Sequence, residues 1–471
     1  MKKIFSILLV AAIFAACSDD WLEVDPSTSM TPEVAFRSLE DAQVALRGVY
    51  NTLWTRTSNA TYYGADIYTY GDVKGDDMRT QSSGLRTEQQ YNFTEAEEAS
   101  SWGLWTRPFV GLSNVNAILE KVSEIEAVTE QQKVLKADIE GQSLALRALF
   151  HFDLARIFGR MPANGNPETD LAVPLVTRMM SPANNPARNT VAEVYAQIIR
   201  DLYDAIPKLS TQRKTDGTIN AWAAKALLCR VQLYYGNYSQ ALELAEDVIQ
   251  NGPYSLIAYD EYVDSWATAF SVESLFEIAF NAQQNSDREG LGYLLDPTGY
   301  GSVTLTDSFI DMILEDEDDI RTQIVMVDSR DNRRGYLNKY PGLNGASTRI
   351  NNPKVIRLAE VYLIASEAAL ATGDQAKADG YLNALYDIRT NRENNLSNVD
   401  MERILLERRK ELVGEGHRFF DLMRLSRPVV RNGSDHFSSV LELQPDHHRA
   451  IQPIPDIEMN ANPNMDQNPG Y

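Results

Sequence analysis

The chain has 471 residues, with 44 Lys and Arg against 66 Asp and Glu, a formal net charge of −22, and only two cysteines. That charge argues against nucleic acid and against docking on anionic lipid as sources of binding energy. A chain of this length can bury a large core without disulfides.

Lys2 and Lys3 precede an apolar run from Ile4 to Ala16 broken only by Ser6. The run is about 13 residues, too short for a bilayer, which needs roughly 20. A positive start, a short apolar stretch and small residues at its end mark a secretory signal. Phe14-Ala15-Ala16-Cys17 resembles a bacterial lipobox, in which Cys17 is lipidated and becomes the new N-terminus. The rest of the chain holds no apolar run of spanning length, so the expected state is anchored to a membrane rather than threaded through it. With Cys17 lipidated, Cys229 has no cysteine to pair with. Residues 18–31 are polar and acidic around Pro26, a flexible tether, and Ser18-Asp19-Asp20 resembles the surface-export signal of Bacteroidetes lipoproteins.

The first helix is expected from Thr31-Pro32-Glu33 onward, with a capping hydroxyl, a first-turn proline and an early acid. Phe36, Leu39, Ala42, Leu46 and Val49 recur at helical spacing. Residues 55–101 lose that period and are rich in Gly, Asp, Tyr and Thr, as functional loops often are. Helical patterns follow at 103–126, at 130–158 (closed by Gly159), at 190–206 (opened by Asn189-Thr190, closed by Pro207), at 221–235 and at 238–250. Residues 260–350 are irregular apart from a short strand at 275–280. Helices are expected again at 354–371 and 375–390, then a last pair over 399–424 and a proline-rich, loop-like tail.

Two of these pairs repeat one another. Gly236-Asn237 and Gly373-Asp374 each precede an alanine by five residues (Ala241, Ala378), and seven residues before each glycine stands a small side chain, Cys229 or Ser366. In tetratricopeptide units such positions turn the chain and let two helices approach closely. Cys229 is therefore expected to be a packing residue rather than a reactive thiol.

The chemistry-bearing motifs are few. The five histidines show no HExxH or Cys/His spacing, and there is no GxSxG, phosphate-binding loop or dinucleotide fingerprint, so no metal and no cofactor is expected. His151, among Leu149, Phe150 and Phe152, is expected to be a partly buried helix residue. The ionic stretch Glu407 to Glu411 with Glu415 to Asp421 is expected to pair along helix faces, Arg408 with Glu411 and Arg418 with Asp421. The acid run Glu315 to Asp319 reads as a solvated face or turn. Aromatics concentrate in the two irregular regions: Tyr62, Tyr63, Tyr68, Tyr70, Tyr91 and Trp102, then Tyr293, Tyr300 and Tyr340. Sugar rings stack on aromatic planes, and their hydroxyls need Asp, Asn or Arg partners.

In order along the chain, several segments resemble the SusD/RagB family of Bacteroidetes outer-membrane lipoproteins. They are Asp20-Trp21-Leu22-Glu23, Gly48-Val49-Tyr50, Arg147 to Phe152, Phe158-Gly159-Arg160-Met161-Pro162, Ala223 to Leu228 with Tyr235 to Tyr238, Arg357 to Leu363, Glu407 to Leu412, and the ending Pro453-Ile454-Pro455 with Gln467 to Tyr471. His151 departs from the pattern, where an aromatic is usual. The resemblance implies a mainly α fold, one domain over 32–471 after a 1–17 signal and the 18–31 tether, built on four tetratricopeptide-like helix pairs with long irregular loop insertions. It also implies a lid over a SusC-like TonB-dependent transporter at the outer membrane, facing the cell exterior, that binds an oligosaccharide or, in the RagB branch, a peptide, without being an enzyme. Two other readings remain open, a glycoside hydrolase with an unmotifed carboxylate pair and a purely structural subunit.

The ligand residues do not follow from the resemblance. The loops 62–102 and 285–345 lack helical period, so their aromatics are expected to be less committed to a core. That makes Trp102, Tyr68, Tyr70, Tyr293 and Tyr300 the candidate stacking residues, with Asp77, Arg79 and Arg333 as polar partners. The net charge favours a neutral ligand. The cluster Arg330, Arg333, Arg334, Lys339 and Arg349 leaves an anionic sugar open.

Overall fold

The computed structural model describes residues 36–55, 60–81, 86–99, 102–181, 183–328 and 333–471. The signal, the tether, Cys17 and the expected helix start at Thr31 lie outside them. In chain order the α-helices are α1 (Leu39–Thr52), α2 (Asp66–Val73), α3 (Glu88–Asn92), α4 (Trp102–Glu124), α5 (Glu130–Phe158), α6 (Val191–Ala205), α7 (Ala221–Tyr235) and α8 (Tyr238–Asn251). They continue with α9 (Leu291–Leu295), α10 (Asp307–Ile313), α11 (Leu358–Ala371), α12 (Gln375–Thr390), α13 (Met401–Leu412), α14 (Arg418–Arg424) and α15 (Asp456–Ala461).

The long helices begin where local capping directs. Ser38 accepts the Asp41 N–H at the start of α1, and Thr129–Gln132 and Thr190–Glu193 form reciprocal capping boxes at α5 and α6. Each of four pairs then packs on the next: α1 against α4, α5 against α6, α7 against α8 and α11 against α12, with α4–α5, α6–α7 and α8–α11 as the junctions. This stacking of helix pairs is the tetratricopeptide-like arrangement that the family resemblance implies. The repeat is exact in chemistry at one point. Gly236 and Gly373 both turn with φ near +85°, a conformation that suits glycine. In each pair the small residue seven places earlier, fully buried, donates across the helix contact: Cys229 Sγ to Ala241 O (3.3 Å) and Ser366 Oγ to Ala378 O (2.8 Å).

The strands are short antiparallel ribbons: β1 (Met78–Thr80), β2 (Ser274–Glu277), β3 (Val303–Leu305), β4 (Val325–Asp328), β5 (Arg333–Leu337), β6 (Lys354–Arg357), β7 (Val429–Val430) and β8 (Glu442–Leu443). They pair β1 with β3, β2 with β6, β4 with β5 and β7 with β8. The strand expected at 275–280 is present as β2, but residues 354–357 form its partner rather than the first turn of a helix. All four are buried, so they carry no amphipathic period. Among the described residues no helix is long and apolar enough to cross a membrane.

The region 55–101 departs most from expectation. It contains α2, in which every residue after Asp66 is buried. A helix enclosed on all sides has no polar face and so no hydrophobic stripe to read. Its enclosure is close: a Cβ on Gly71 would lie 2.0 Å from Gly416 O, so only glycine lets the α2 backbone touch the turn before α14.

Candidate functional site

The loops that carry the candidate site converge on residues 60–66. A Cβ on Gly64 would meet Ser286 Oγ at 2.2 Å, and a Cβ on Gly103 would meet Ala60 Cβ at 2.4 Å. The start of α4 and the segment leading into α9 therefore lean on the same short stretch of chain. Beyond Ser286 the chain runs through α9 and a turn at 296–301. There Asp296 O accepts the N–H groups of Gly299 and Gly301, and Tyr300 N donates to Tyr293 O at 2.9 Å.

That turn sets two tyrosines edge to face. The Tyr293 and Tyr300 rings have centroids 4.9 Å apart at 82°. Gly299 makes room for them, since a Cβ there would lie 2.5 Å from Tyr293 O and 3.1 Å from its ring. Each ring has a guanidinium over it: Arg86 Cζ lies 4.2 Å from the Tyr300 centroid and Arg349 Cζ 5.0 Å from that of Tyr293. The cations are themselves held. Arg86 forms a forked pair with Glu289 and donates to Tyr300 Oη at 3.2 Å, while Arg349 Nη1 donates to Asp287 at 3.0 Å. Tyr300 is 37% exposed. The result is a fixed, partly exposed aromatic pair rimmed by Arg86, Arg349 and Asp287.

Of the expected stacking residues, Tyr293 and Tyr300 stand together in this cluster. Trp102 opens α4 and Arg333 opens β5, but their side chains lie outside the described residues, as do those of Arg330 and Arg334. Tyr68 and Tyr70 are corrected: both are buried core residues. Tyr68 packs edge-on to Tyr63 at 5.9 Å, and Tyr70 packs against both Phe419 and Phe420 with Lys74 Nζ 5.0 Å from its centroid. Asp77 is corrected as well. It is buried, accepting from Arg409 Nε at 3.0 Å with Arg418 Nε 3.4 Å away. The ≈10 Å³ notch beside it has room for about one water. Arg79, the middle residue of β1, lies mostly buried beside the β7–β8 loop, donating to Asp435 O. Lys339 is fully buried against Glu415 at 2.8 Å and is lost to any anionic ligand.

The ionic stretch is structural, as expected, but its pairing differs. Arg408 binds Asp421 through two bonds (3.0 and 2.9 Å) and Arg418 binds Asp76. Glu411 accepts from Arg321, Arg357 and Arg389. Buried charges take the partner that completes their hydrogen bonding, and here that partner comes from another element. The acid run divides: Asp316 and Asp318 pair with Arg392 at the surface, whereas Asp319 is buried on Arg321.

An acid–base pair would be sought at Asp66 and Glu289. Burial pushes the Asp66 carboxyl up to about 6, yet it is engaged by the Thr61 and Tyr62 N–H groups at 2.7 and 3.0 Å, and Glu289 is engaged by Arg86. Among the described residues no group of three or more His, Cys, Asp or Glu side chains is placed to hold a metal ion.

Solved structures share this architecture. A SusD superfamily protein from Bacteroides thetaiotaomicron is 33% identical, superposes with a TM-score of 0.86, and is matched over 92% of this chain and 100% of its own. The chain belongs to the SusD superfamily. A second SusD superfamily protein, from Bacteroides vulgatus, is 34% identical with a TM-score of 0.84, over 93% of this chain and 100% of that one. The SusD-like protein P2 of Formosa agariphila is 26% identical over 100% of this chain and 99% of its own. Two family profiles divide the sequence: one described as "Starch-binding associating with outer membrane" matches residues 20–233, and the SusD family profile matches 324–471. In this SusD-family chain the tyrosine pair falls between the two profiles, within the insertion that separates the third helix pair from the fourth.

Sequence reasoning missed Arg86, which carries no periodic mark, and grouped Arg349 with a cationic run rather than with Tyr293. A cavity of ≈310 Å³ lined by Trp105, Phe109, Met180, Asn462 and Met465 was also not foreseen. It shares no lining residue with the tyrosine cluster.

Proposed function

We propose that this protein is a glycan-binding lipoprotein of the outer membrane, anchored through Cys17 and facing the cell exterior, that hands an oligosaccharide to a SusC-like TonB-dependent transporter without chemical turnover. The observation that carries the reading is the Tyr293–Tyr300 pair. Tyr300, held by a glycine turn, by Arg86 and by the edge-to-face contact with Tyr293, keeps part of its ring exposed to a sugar, and the rim offers donors and acceptors for hydroxyls. The profile description that names starch supports it, as does a Bacteroides vulgatus structure provisionally described as a sugar-binding protein, 38% identical with a TM-score of 0.87 over 93% of this chain. The engagement of Asp66 and Glu289 supports binding over hydrolysis, since neither carboxylate is left for an attacking water.

Calorimetry against starch- and laminarin-derived oligosaccharides and a peptide panel tests the reading. Tyr293→Ala and Tyr300→Ala are each expected to weaken sugar binding by about 1–3 kcal/mol, the cost of a stacking anchor. Peptides alone binding would move the protein to the RagB-like class, and sugar release from any panel member would make it an enzyme. Cys17→Ala is expected to leave the membrane fraction and to lose fatty-acid label. A mutant that still labels would place the anchor elsewhere.

A further inference from the structure

The loop between β7 and β8 presents Phe437 with 66% of its surface exposed. The base of the loop is held by hydrogen bonds. Arg431, buried beneath, donates to the carbonyls of Val73, Gly75 and Tyr91 at 2.7–3.0 Å. The Phe437 N–H donates to Tyr91 Oη at 2.9 Å, Tyr91 Oη lies 3.1 Å from His436 Nδ1, and His436 Nε2 lies 3.2 Å from Asp76 O. One proton arrangement satisfies this chain: Tyr91 donates to Nδ1 and Nε2–H donates to Asp76 O. The Asp435 carboxylate accepts the Ser308 N–H at 3.0 Å, and Asp435 O accepts from Arg79.

An exposed aromatic on a slack loop would lose freedom on binding, whereas one fixed in advance does not. Arg79 Cζ lies 5.2 Å from the centroid of the Phe437 ring. The Asp307 carboxylate, 64% exposed and 3.8 Å from Arg79 Nη2, supplies an acceptor beside it. Val430 and Leu441 on the same hairpin are exposed too, but the Arg79 guanidinium against Phe437, itself paired with Asp307, suits hydroxyls better than an apolar protein surface. The location also fits. Arg79 on β1 faces Thr304 on β3, and Tyr300 is four residues before Thr304. At most about 13 Å of chain therefore separates that register position from the tyrosine pair.

We propose that Phe437, backed by Arg79 and flanked by Asp307, is a second sugar-stacking platform, joined to the Tyr293–Tyr300 pair by the β1–β3 ribbon, and that the protein selects glycan chains long enough to reach both. The proposal rests on the glycan-binding reading and deepens it. The test measures affinities of a trisaccharide and a heptasaccharide from each of the malto and laminari series, for wild type, Phe437→Ala and Tyr300→Ala, with circular dichroism confirming that both variants fold. In the series that binds, wild type should prefer the heptasaccharide. Phe437→Ala should lose about tenfold on the heptasaccharide and nothing on the trisaccharide, the signature of one remote anchor, while Tyr300→Ala should weaken both. Equal loss on both lengths, or no loss on either, overturns the second platform and leaves the glycan reading standing. No binding of any chain by wild type rejects that reading, and the platform with it. Unchanged sugar affinity combined with failure of Phe437→Ala to co-purify a membrane protein that wild type retains assigns the hairpin to a protein interface and overturns the proposal.

Discussion

Arg357→Met is expected to cost about 3–5 kcal/mol of stability, enough to leave much of the protein unfolded, because it strands buried carboxylates without their cation. Arg357 is almost wholly buried. It donates to Glu415 at 2.7 and 2.6 Å, to Glu273 at 2.6 Å, to Glu411 at 3.0 Å and to the Glu411 carbonyl at 3.1 Å. Arg389 shares Glu273 and Glu411, Arg321 joins Glu407 and Asp319, and Lys339 joins Glu415. The network ties the site-bearing insertion, through Glu273, Arg321 and Lys339, to the helices α12 and α13. Arg357→Lys is not expected to rescue, since an ammonium cannot supply five bonds in a planar fork. The control is Arg37→Met, which removes an exposed pair with Asp41 and should shift stability by no more than about 0.5 kcal/mol. Denaturant midpoints compare the three. An Arg357→Met protein within about 1 kcal/mol of wild type would show that the lattice is not what holds the insertion in place.

Much of the scaffold was legible because its signals are local. Thr190 with Glu193 three residues on, Gly159 and Gly236 after their helices, and the seven-residue offset from Cys229 to Gly236 each report a short-range geometry. What was not legible depends on enclosure. Residues 62–73 lack helical period, and an absent period predicts tyrosines free of the core. The period is absent because Tyr62, Tyr63, Tyr68 and Tyr70 are buried on every side, by Phe150, by one another and by Phe419 and Phe420. Full burial also hid β6, because four consecutive buried residues carry no period that separates a strand from the start of a helix. The pairing of Glu411 with three arginines was hidden for a different reason, since those cations come from 22 to 90 residues away in sequence.

The site divides along the same line. Tyr293, in the short helix α9, and Tyr300, in the Gly- and Pro-containing turn after it, lie where the loss of period does coincide with partial exposure. Arg86 and Phe437 are single residues in Gly- and Ser-containing stretches, and nothing at short range marks either of them. What gives them a place is the antiparallel register of β1 with β3, together with the Tyr91–His436 contact that joins residues 345 apart.

Acid should expose two buried groups of opposite sign. His151 is fully buried and neutral, with Nδ1 3.1 Å from Arg147 O and Nε2 accepting the Val176 N–H at 3.2 Å, and burial pushes its pKa down to about 3. Below about pH 6.5 the unfolded chain takes up a proton that the folded one refuses. The stability His151 contributes is thus present above pH 6.5 and is lost progressively as the pH falls toward 3. Asp66 runs the other way. Its folded pKa is pushed up to about 6 by burial, so its contribution is full below the ordinary carboxylate range and is lost as the pH rises through 6. His151→Gln keeps an acceptor for Val176 and abolishes the titration, so its deficit relative to wild type should shrink by about 3 kcal/mol between pH 7 and pH 4. Asp66→Asn keeps an acceptor for the Thr61 and Tyr62 amides, and its stability relative to wild type should rise by about 2 kcal/mol over the same interval taken upward from pH 4 to pH 7. Guanidinium titrations at a series of pH values measure both differences directly, with other titrating groups cancelling between variant and wild type. Parallel pH profiles for His151→Gln and wild type would mean that the imidazole is protonated as readily in the folded chain as in the unfolded one, and that the Val176 amide is not what Nε2 binds.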